Sequence, residues 1–354
     1  MTELLSATIE LTSRLVAIPS VTGDHHGQAA VQDTCLNYLS RHDLEVTTSR
    51  EGRPWSLVRT PKEPALLFVC HTDTVPVGEV NDWTRNPHSG VADGDVIHGR
   101  GSVDMKGGLA AAVTTLADAA ARDLGVALLM TADEEIGGVG AAEVASSLSL
   151  GFTPQLVVVP EATDNVYSRG HRGAAWFDVT AHGRSAHGST PAAGINAITL
   201  LSEKVISRLG TAPLSEDEYL GSDTINLGMI SGGQAPNIVP DHAELTLDCR
   251  TVNGGGALRA WLDALGPEFS VRQRFDLPAL NTETVPGVME QFPASGPATY
   301  FTDAAVIQEL VGGAPTIIWG PGHPDQMHTV DEVMHVDSLA QALRNFRTVA
   351  QALG

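Results

Sequence analysis

Cysteine is scarce in this chain, three residues in 354. Cys35, Cys70 and Cys249 are far apart and flanked by apolar residues. That pattern suits reduced, partly buried thiols in the cytosol rather than a disulfide framework. Positive charge is also in short supply: 21 Lys and Arg face 42 Asp and Glu, a formal net charge of −21. Such a surface repels nucleic-acid phosphates and anionic membranes, which excludes both as main partners. It does not exclude a small anionic substrate, because a locally bound cation pair can oppose the net charge. No apolar run approaches the roughly 18 residues of a membrane span. The opening Met1-Thr-Glu-Leu-Leu is acidic and has no basic n-region. No secretory signal is therefore expected, and the expected location is cytoplasmic. Repeats and low-complexity tracts are absent as well.

The chain is long enough for two substantial cores. Its 42% hydrophobic and 18% charged content is an ordinary globular balance. Helical spacing marks residues 4–15 and 29–39, with a loop at 19–23. Residues 65–71, 126–131 and 155–159 are short continuous apolar runs, as in central strands covered on both faces. An Ala/Leu-rich helix at 106–121 is opened by glycines. Strands alternating with helices predict an α/β layer fold. From about Arg172 the texture changes. Residues 175–182 and 243–250 alternate apolar and polar, with helices at 195–209 and 257–265 between and after them. This reads as a smaller α+β unit inserted into the first fold. The α/β texture returns near residue 281, with a helix at 302–311, a strand at 315–319 and an amphipathic final helix at 336–353. The expected divisions are 1–171, 172–280 and 281–354.

The polar residues fall at one edge of that sheet. His71 and Asp73 follow the first apolar strand, and Asp104 lies in the glycine-rich stretch Gly99-Arg-Gly-Ser-Val-Asp-Met-Lys-Gly-Gly108. Adjacent Glu134 and Glu135 close the run that starts at Val126, Glu161 follows Leu156-Val-Val-Val-Pro160, and His328 lies beyond the strand at 315–319. All are at predicted carboxyl ends of strands, where open α/β sheets gather ligands. Two imidazoles and several carboxylates without a thiol suit zinc or another borderline divalent ion. An aspartate between two metals can bridge them, and two-metal hydrolytic sites hold their ions about 3.5–4 Å apart. A carboxylate outside the ligand set must then take the proton from the attacking water. Each residue also has a plain structural explanation. A histidine after a strand can be a surface residue, a Glu-Glu pair is often solvated, Asp73 can cap a turn, Glu161 can pair with an arginine, and Asp104 can form an Asx-turn. These explanations weaken together because every residue falls at the same edge.

Read in order, His71-Thr-Asp-Thr-Val-Pro76, the Gly99 to Gly108 stretch, Asp133-Glu-Glu-Ile-Gly-Gly138 and Pro160-Glu161 resemble the dinuclear zinc deacylase and carboxypeptidase family. That family includes acetylornithine deacetylase, succinyl-diaminopimelate desuccinylase, aminoacylase and glutamate carboxypeptidase. Gly183-Arg-Ser-Ala-His-Gly-Ser-Thr-Pro191, Pro236-Asn-Ile-Val-Pro240 and Asp248-Cys-Arg250 match its inserted domain, and Thr299-Tyr-Phe-Thr-Asp-Ala304 and the stretch from Gly320 to Thr329 match its closing segments. The resemblance implies a metallopeptidase-like catalytic domain, with helices on both faces of a mixed, largely parallel sheet, interrupted by an α+β lid and dimerisation domain. It implies two zinc ions per subunit, with cobalt as a substitute. His71 and Glu161 would hold one ion, His328 and Glu135 the other, and Asp104 both. Glu134 would be the general base, and Asp73 would orient His71 and fix its tautomer. His187 would hydrogen-bond the oxyanion, in many dimeric relatives from the opposite subunit. Asn237 and Arg250 would contact the substrate, Arg250 gripping a carboxylate.

Some positions depart from the family pattern. His88 stands where relatives often carry an aromatic residue, and Met327 where many carry a smaller one. His323 competes with His328 as ligand, but Gly320-Pro-Gly322 and Thr329-Val-Asp-Glu332 frame His328 as in the family. His98, His171, His182 and His242 read as structural. The resemblance is strongest to acetylornithine deacetylase, and the expected activity is removal of an acyl group from an N-acyl amino acid. A desuccinylase, a carboxypeptidase or dipeptidase, and a catalytically silent binding protein on the same fold are the alternatives. The inserted unit is about 110 residues, the size of a single lid, which in the family pairs with its copy; a homodimer is expected.

Overall fold

The computed structural model describes residues 2–354. The chain divides into two compact units. The first comprises Met1–Gly170, Thr282–Ala298 and Thr302–Gly354, and the second His171–Asn281 and Thr299–Phe301.

The first unit is an α/β layer fold on a six-stranded sheet. Its strands lie in the order Glu45–Ser49, Trp55–Arg59, Val126–Thr131, Leu66–His71, Leu156–Ala162, Thr316–Gly320. The last four run parallel to one another, and the first two join antiparallel, Trp55–Arg59 against both Glu45–Ser49 and Val126–Thr131. Every residue of the four parallel strands is buried. Burial on both faces is why these segments carry continuous apolar runs rather than alternating residues. Helices Thr2–Val16, Gly107–Ala120 and Val336–Leu353 pack together, as do Val139–Ser147 and Asp303–Val306, and helices cover both faces of the sheet. In the core, Phe346 joins strand residues Phe68 and Trp319, with ring centroids 5.0 and 5.7 Å apart.

One helical expectation is corrected. Residues 302–311 form an α-helix only over Asp303–Val306. Beyond it the Gln308 side chain donates to the Ala304 carbonyl at 3.1 Å, and the turn then ends at Gly312 and Gly313, both at positive φ. The edge strand Glu45–Ser49 and its neighbour Trp55–Arg59 are additions to the sequence reading.

The second unit holds a four-stranded antiparallel sheet in the order Thr224–Gly232, His242–Thr251, Gly173–His182, Phe269–Leu277. One face packs Phe177, Val179, Leu245 and Leu247 against Leu201, Val205, Leu258 and Leu262. The helical stretch that supplies Leu201 and Val205 starts at an Asn196 cap and changes pitch twice, from α over Ala197–Leu200 to a wider turn and then a tighter one.

Candidate metal centre

Sheet topology gathers the polar residues. His71 ends its strand, Glu161 sits near the end of Leu156–Ala162, and the Glu134–Glu135 turn follows Val126–Thr131. Two glycines at positive φ, Gly137 and Gly138, turn the chain after the glutamates, a conformation side chains resist. Asp104 lies just before helix Gly107–Ala120. A Cβ on Gly108 would collide with the Pro160 carbonyl, so this glycine lets the helix start rest against the strand that carries Glu161.

The side chains converge in two groups, each able to hold a metal ion: His71, Asp104 and Glu161, and Asp104, Glu135 and His328. Within each group the candidate ligand atoms lie within 4.8 Å of one another. Asp104 belongs to both, and its two oxygens face opposite ways. Oδ1 is 3.0 Å from His71 Nε2, and Oδ2 is 3.2 Å from His328 Nε2. Glu161 lies 3.3 Å from His71 Nε2, and Glu135 3.0 Å from His328 Nε2. Glu135 Oε1 is buried without a hydrogen-bond partner, as an oxygen reserved for a cation would be. Glu134 is buried but belongs to neither group. Among the described residues, none hydrogen-bonds its carboxylate.

Converging carboxylates perturb each other. Burial pushes Glu134 well above the usual glutamate range; His71 offsets part of this, and the charges of Glu135, Asp303 and Glu161 add to it. Burial and the Asp104 charge raise Glu161 to about 7, and the same two causes raise Glu135. Burial would strip His71 of its proton, but Glu161, Asp104 and Asp73 outweigh burial and hold it well above normal. Hydrogen bonds to Asp104 and Glu135 lift His328 to about 10. Burial opposes the Asp104 charge, yet hydrogen bonds from His328 and His71 depress its pKa. The two imidazoles stand as the positive charges among buried acids. Divalent cations held by these nitrogens and oxygens would neutralise the same carboxylates, so the donor set fits a metal pair.

Asp73 makes bonds beyond its approach to His71. His71 Nδ1 is 3.1 Å from the Asp73 backbone carbonyl and 3.4 Å from its carboxylate. The carboxylate also accepts from the backbone N–H of Glu134 at 3.0 Å, the N–H of Glu135 at 3.3 Å and the Thr22 hydroxyl at 2.9 Å. Asp73 thus holds the glutamate turn as well as His71. The adjoining Asp133 accepts from the Gly23 amide, Gln28 and Arg53, each at 2.8 Å, and lies 2.8 Å from His25 Nε2. Buried Asp303 accepts from Thr131 at 2.6 Å and is raised to about 7, chiefly by burial. These roles were not read from the sequence, although Asp133 and Asp303 lie inside recognised motifs. His323 accepts from the Asp325 amide at the start of a short turn and joins neither group.

The other expected site residues lie in the second unit. The Gly188 amide donates to the Asn237 carbonyl at 2.7 Å, which brings the loops of His187 and Asn237 together. The Ser189 amide donates to His187 Nδ1 at 3.2 Å. An accepting Nδ1 puts the proton of the neutral ring on Nε2. Arg250 rests its Nε on Asp248 at 3.0 Å and Nη2 at 3.2 Å, leaving Nη1 for another partner.

The model of peptidase family M20/M25/M40 matches residues 67–352. The chain belongs to this family. A probable carboxypeptidase of Aspergillus terreus is 31% identical over 380 residues, covering 96% of this chain and 84% of that protein. An acetylornithine deacetylase of Aliivibrio salmonicida is 31% identical over 299 residues, 77% of each chain. An aminopeptidase structure from Bacillus cereus shares the fold, with TM-score 0.79, 19% identity and coverage of 99% and 98%. As an M20 member the chain is a metal-dependent hydrolase acting on amide bonds. No described helix is long and apolar enough to cross a membrane.

Proposed function

We propose that this M20 hydrolase removes the acyl group from an N-acyl amino acid, most like an acetylornithine deacetylase, using two zinc ions per subunit. The observation that carries the chemistry is the division at Asp104: one carboxylate oxygen for each histidine group, with an unpartnered glutamate beside them. His71, Asp104 and Glu161 would hold one ion, and Asp104, Glu135 and His328 the other. When bound, such ions polarise the amide carbonyl and acidify water. Glu134 takes a proton from the attacking water and delivers it to the leaving amine nitrogen. His187 donates from Nε2 to the carbonyl oxygen as it becomes negative. Arg250 holds the free carboxylate of the substrate, steadied by Asp248, and Asn237 provides a further polar contact. Every residue that the two ligand groups and the base would need is present in the chain, which argues against a silent binding protein. The free thiols support a reducing, cytoplasmic setting.

A second reading, peptide cleavage, is favoured by the probable carboxypeptidase, which matches 96% of this chain. A dipeptide is also an N-acyl amino acid, so the two readings share chemistry and differ in the acyl group. The test is kcat/KM over N-acetylornithine, N-succinyl-diaminopimelate, other N-acyl amino acids and dipeptides. The metal-stripped protein is expected to be inactive and to recover with zinc or cobalt, with an acyl amino acid preferred. Cleavage of unmodified peptides alone would sink the deacylase reading.

The proposal includes a homodimer built through the second unit. Among the described residues, the strand Thr224–Gly232 pairs on one side only and exposes Met229 and Ile230 at 64% and 54%. A free edge with apolar side chains is a surface proteins normally cover. Light scattering is expected to give the mass of two chains across micromolar concentrations. A single-chain mass throughout would exclude the dimer.

A further inference from the structure

Glu332 is a fully buried carboxylate beyond His328 in the sequence. Its Oε1 accepts from the backbone amides of Val103 at 2.7 Å and Asp104 at 3.2 Å. Its Oε2 accepts from the Gly101 amide at 3.0 Å and from Arg100 Nη1 at 2.7 Å. The Glu332 carbonyl also accepts from the Gly99 amide at 3.0 Å. A buried charge is expensive unless donors surround it, and four donors do so here. Three of them are backbone amides of the stretch that ends on Asp104. Arg100 is itself placed, its guanidinium 5.2 Å from the Trp83 ring centroid.

The two ligand groups depend on this clamp unequally. His71 and Glu161 stand on adjacent paired strands, and the helix after Asp104 rests on Pro160 through Gly108. His328 lies in a loop, at positive φ, with its side chain 52% exposed. Glu332 is the buried carboxylate that joins that loop to the Asp104 loop.

We infer that Glu332 is a positioning residue that sets the placement of His328 against Asp104, and so selectively maintains the Asp104–Glu135–His328 metal site. The inference rests on the two-metal reading above. Outer partners of metal ligands typically change affinity by roughly 10–100-fold when removed. Glu332→Gln keeps the volume and one accepting oxygen, but turns an amide NH2 toward the Gly101 amide and Arg100, donor against donor. The experiment is equilibrium dialysis of metal-free protein against buffered zinc, with bound metal counted by mass spectrometry. His328→Ala marks which equivalent belongs to that group. Wild type is expected to bind two equivalents. Glu332→Gln is expected to hold one equivalent within about threefold of wild type and to weaken the His328-dependent one by roughly 10-fold or more. Equal weakening of both, or of neither, overturns the inference while leaving the two-metal reading intact. A wild type that takes up a single equivalent overturns that reading, and the inference with it. Arg100→Met retains the carboxylate and its three amides, and should weaken the same equivalent by a smaller factor. If circular dichroism shows Glu332→Gln unfolded without metal, Arg100→Met decides: a selective loss supports the clamp, and an equal or absent loss refutes it.

Discussion

Glu134→Ala is expected to retain its metal and lose turnover, whereas Glu135→Ala is expected to lose metal. The two glutamates are neighbours, and the sequence alone does not divide their work. The structure places Glu135 3.0 Å from His328 Nε2 with its other oxygen buried and unpartnered. Glu134 lies outside both ligand groups. Its backbone N–H donates a hydrogen bond to the Asp73 carboxylate, so removal of the side chain leaves the turn in place. General acid–base groups contribute roughly 10²–10⁴-fold, and the loss of kcat in Glu134→Ala is expected in that range or above it, because one carboxylate serves both proton transfers. KM should move little, since Glu134 is not asked to bind the substrate. Metal content per chain and steady-state kinetics on both variants settle the matter. Equal metal loss in both would refute the division of labour.

The legibility of this fold follows burial. Residues 66–71, 126–131 and 156–162 are covered on both faces, and the continuous apolar runs that open them announce them. Glu45–Ser49 is exposed along four of its five residues and carries no such pattern. Thr224–Gly232 is similarly open. Phe269–Leu277 is a different case: its side chains alternate half-buried and exposed, and the sequence carries that period-two signal. The site shows the same contrast. Ligand residues announce themselves by chemistry at strand ends, because a metal pair needs those side chains at that edge. Glu332 works through backbone amides more than two hundred residues earlier, and backbone amides leave no mark in a sequence. Asp73 was expected to act on His71, and its carboxylate proves to be shared with the glutamate turn. A carboxylate with two oxygens and several donors within reach is assigned by geometry, not by residue type.

Asp104 carries the second large effect, because it is the one residue common to both ligand groups. Asp104→Ala removes an oxygen from each group at once. Each is left with one histidine and one glutamate, too few for a tightly held divalent ion. Asp104→Asn is more informative. Its side chain has the same shape but a single carbonyl oxygen, so it can serve His71's group or His328's group, not both. The alanine variant is expected to hold neither equivalent through gentle purification, and the asparagine variant at most one. Losses of zinc affinity should exceed the roughly 10–100-fold typical of outer partners. Activity should collapse in both variants. The folded state without metal should suffer as well. Asp104 is buried among acids, and its charge is tolerated there because His71 and His328 hydrogen-bond to it. Replacement by neutral asparagine relieves repulsion with Glu161 and Glu135, but gives up the larger attraction to the two imidazoles that holds the Asp104 pKa down. Metal-free Asp104→Asn is therefore expected to melt lower than metal-free wild type at neutral pH, while zinc-loaded wild type melts higher than both, since a ligand that binds only the folded chain stabilises it. Two tightly bound equivalents in Asp104→Ala, measured by the same zinc dialysis, would show that the bridge at Asp104 is not what holds the pair.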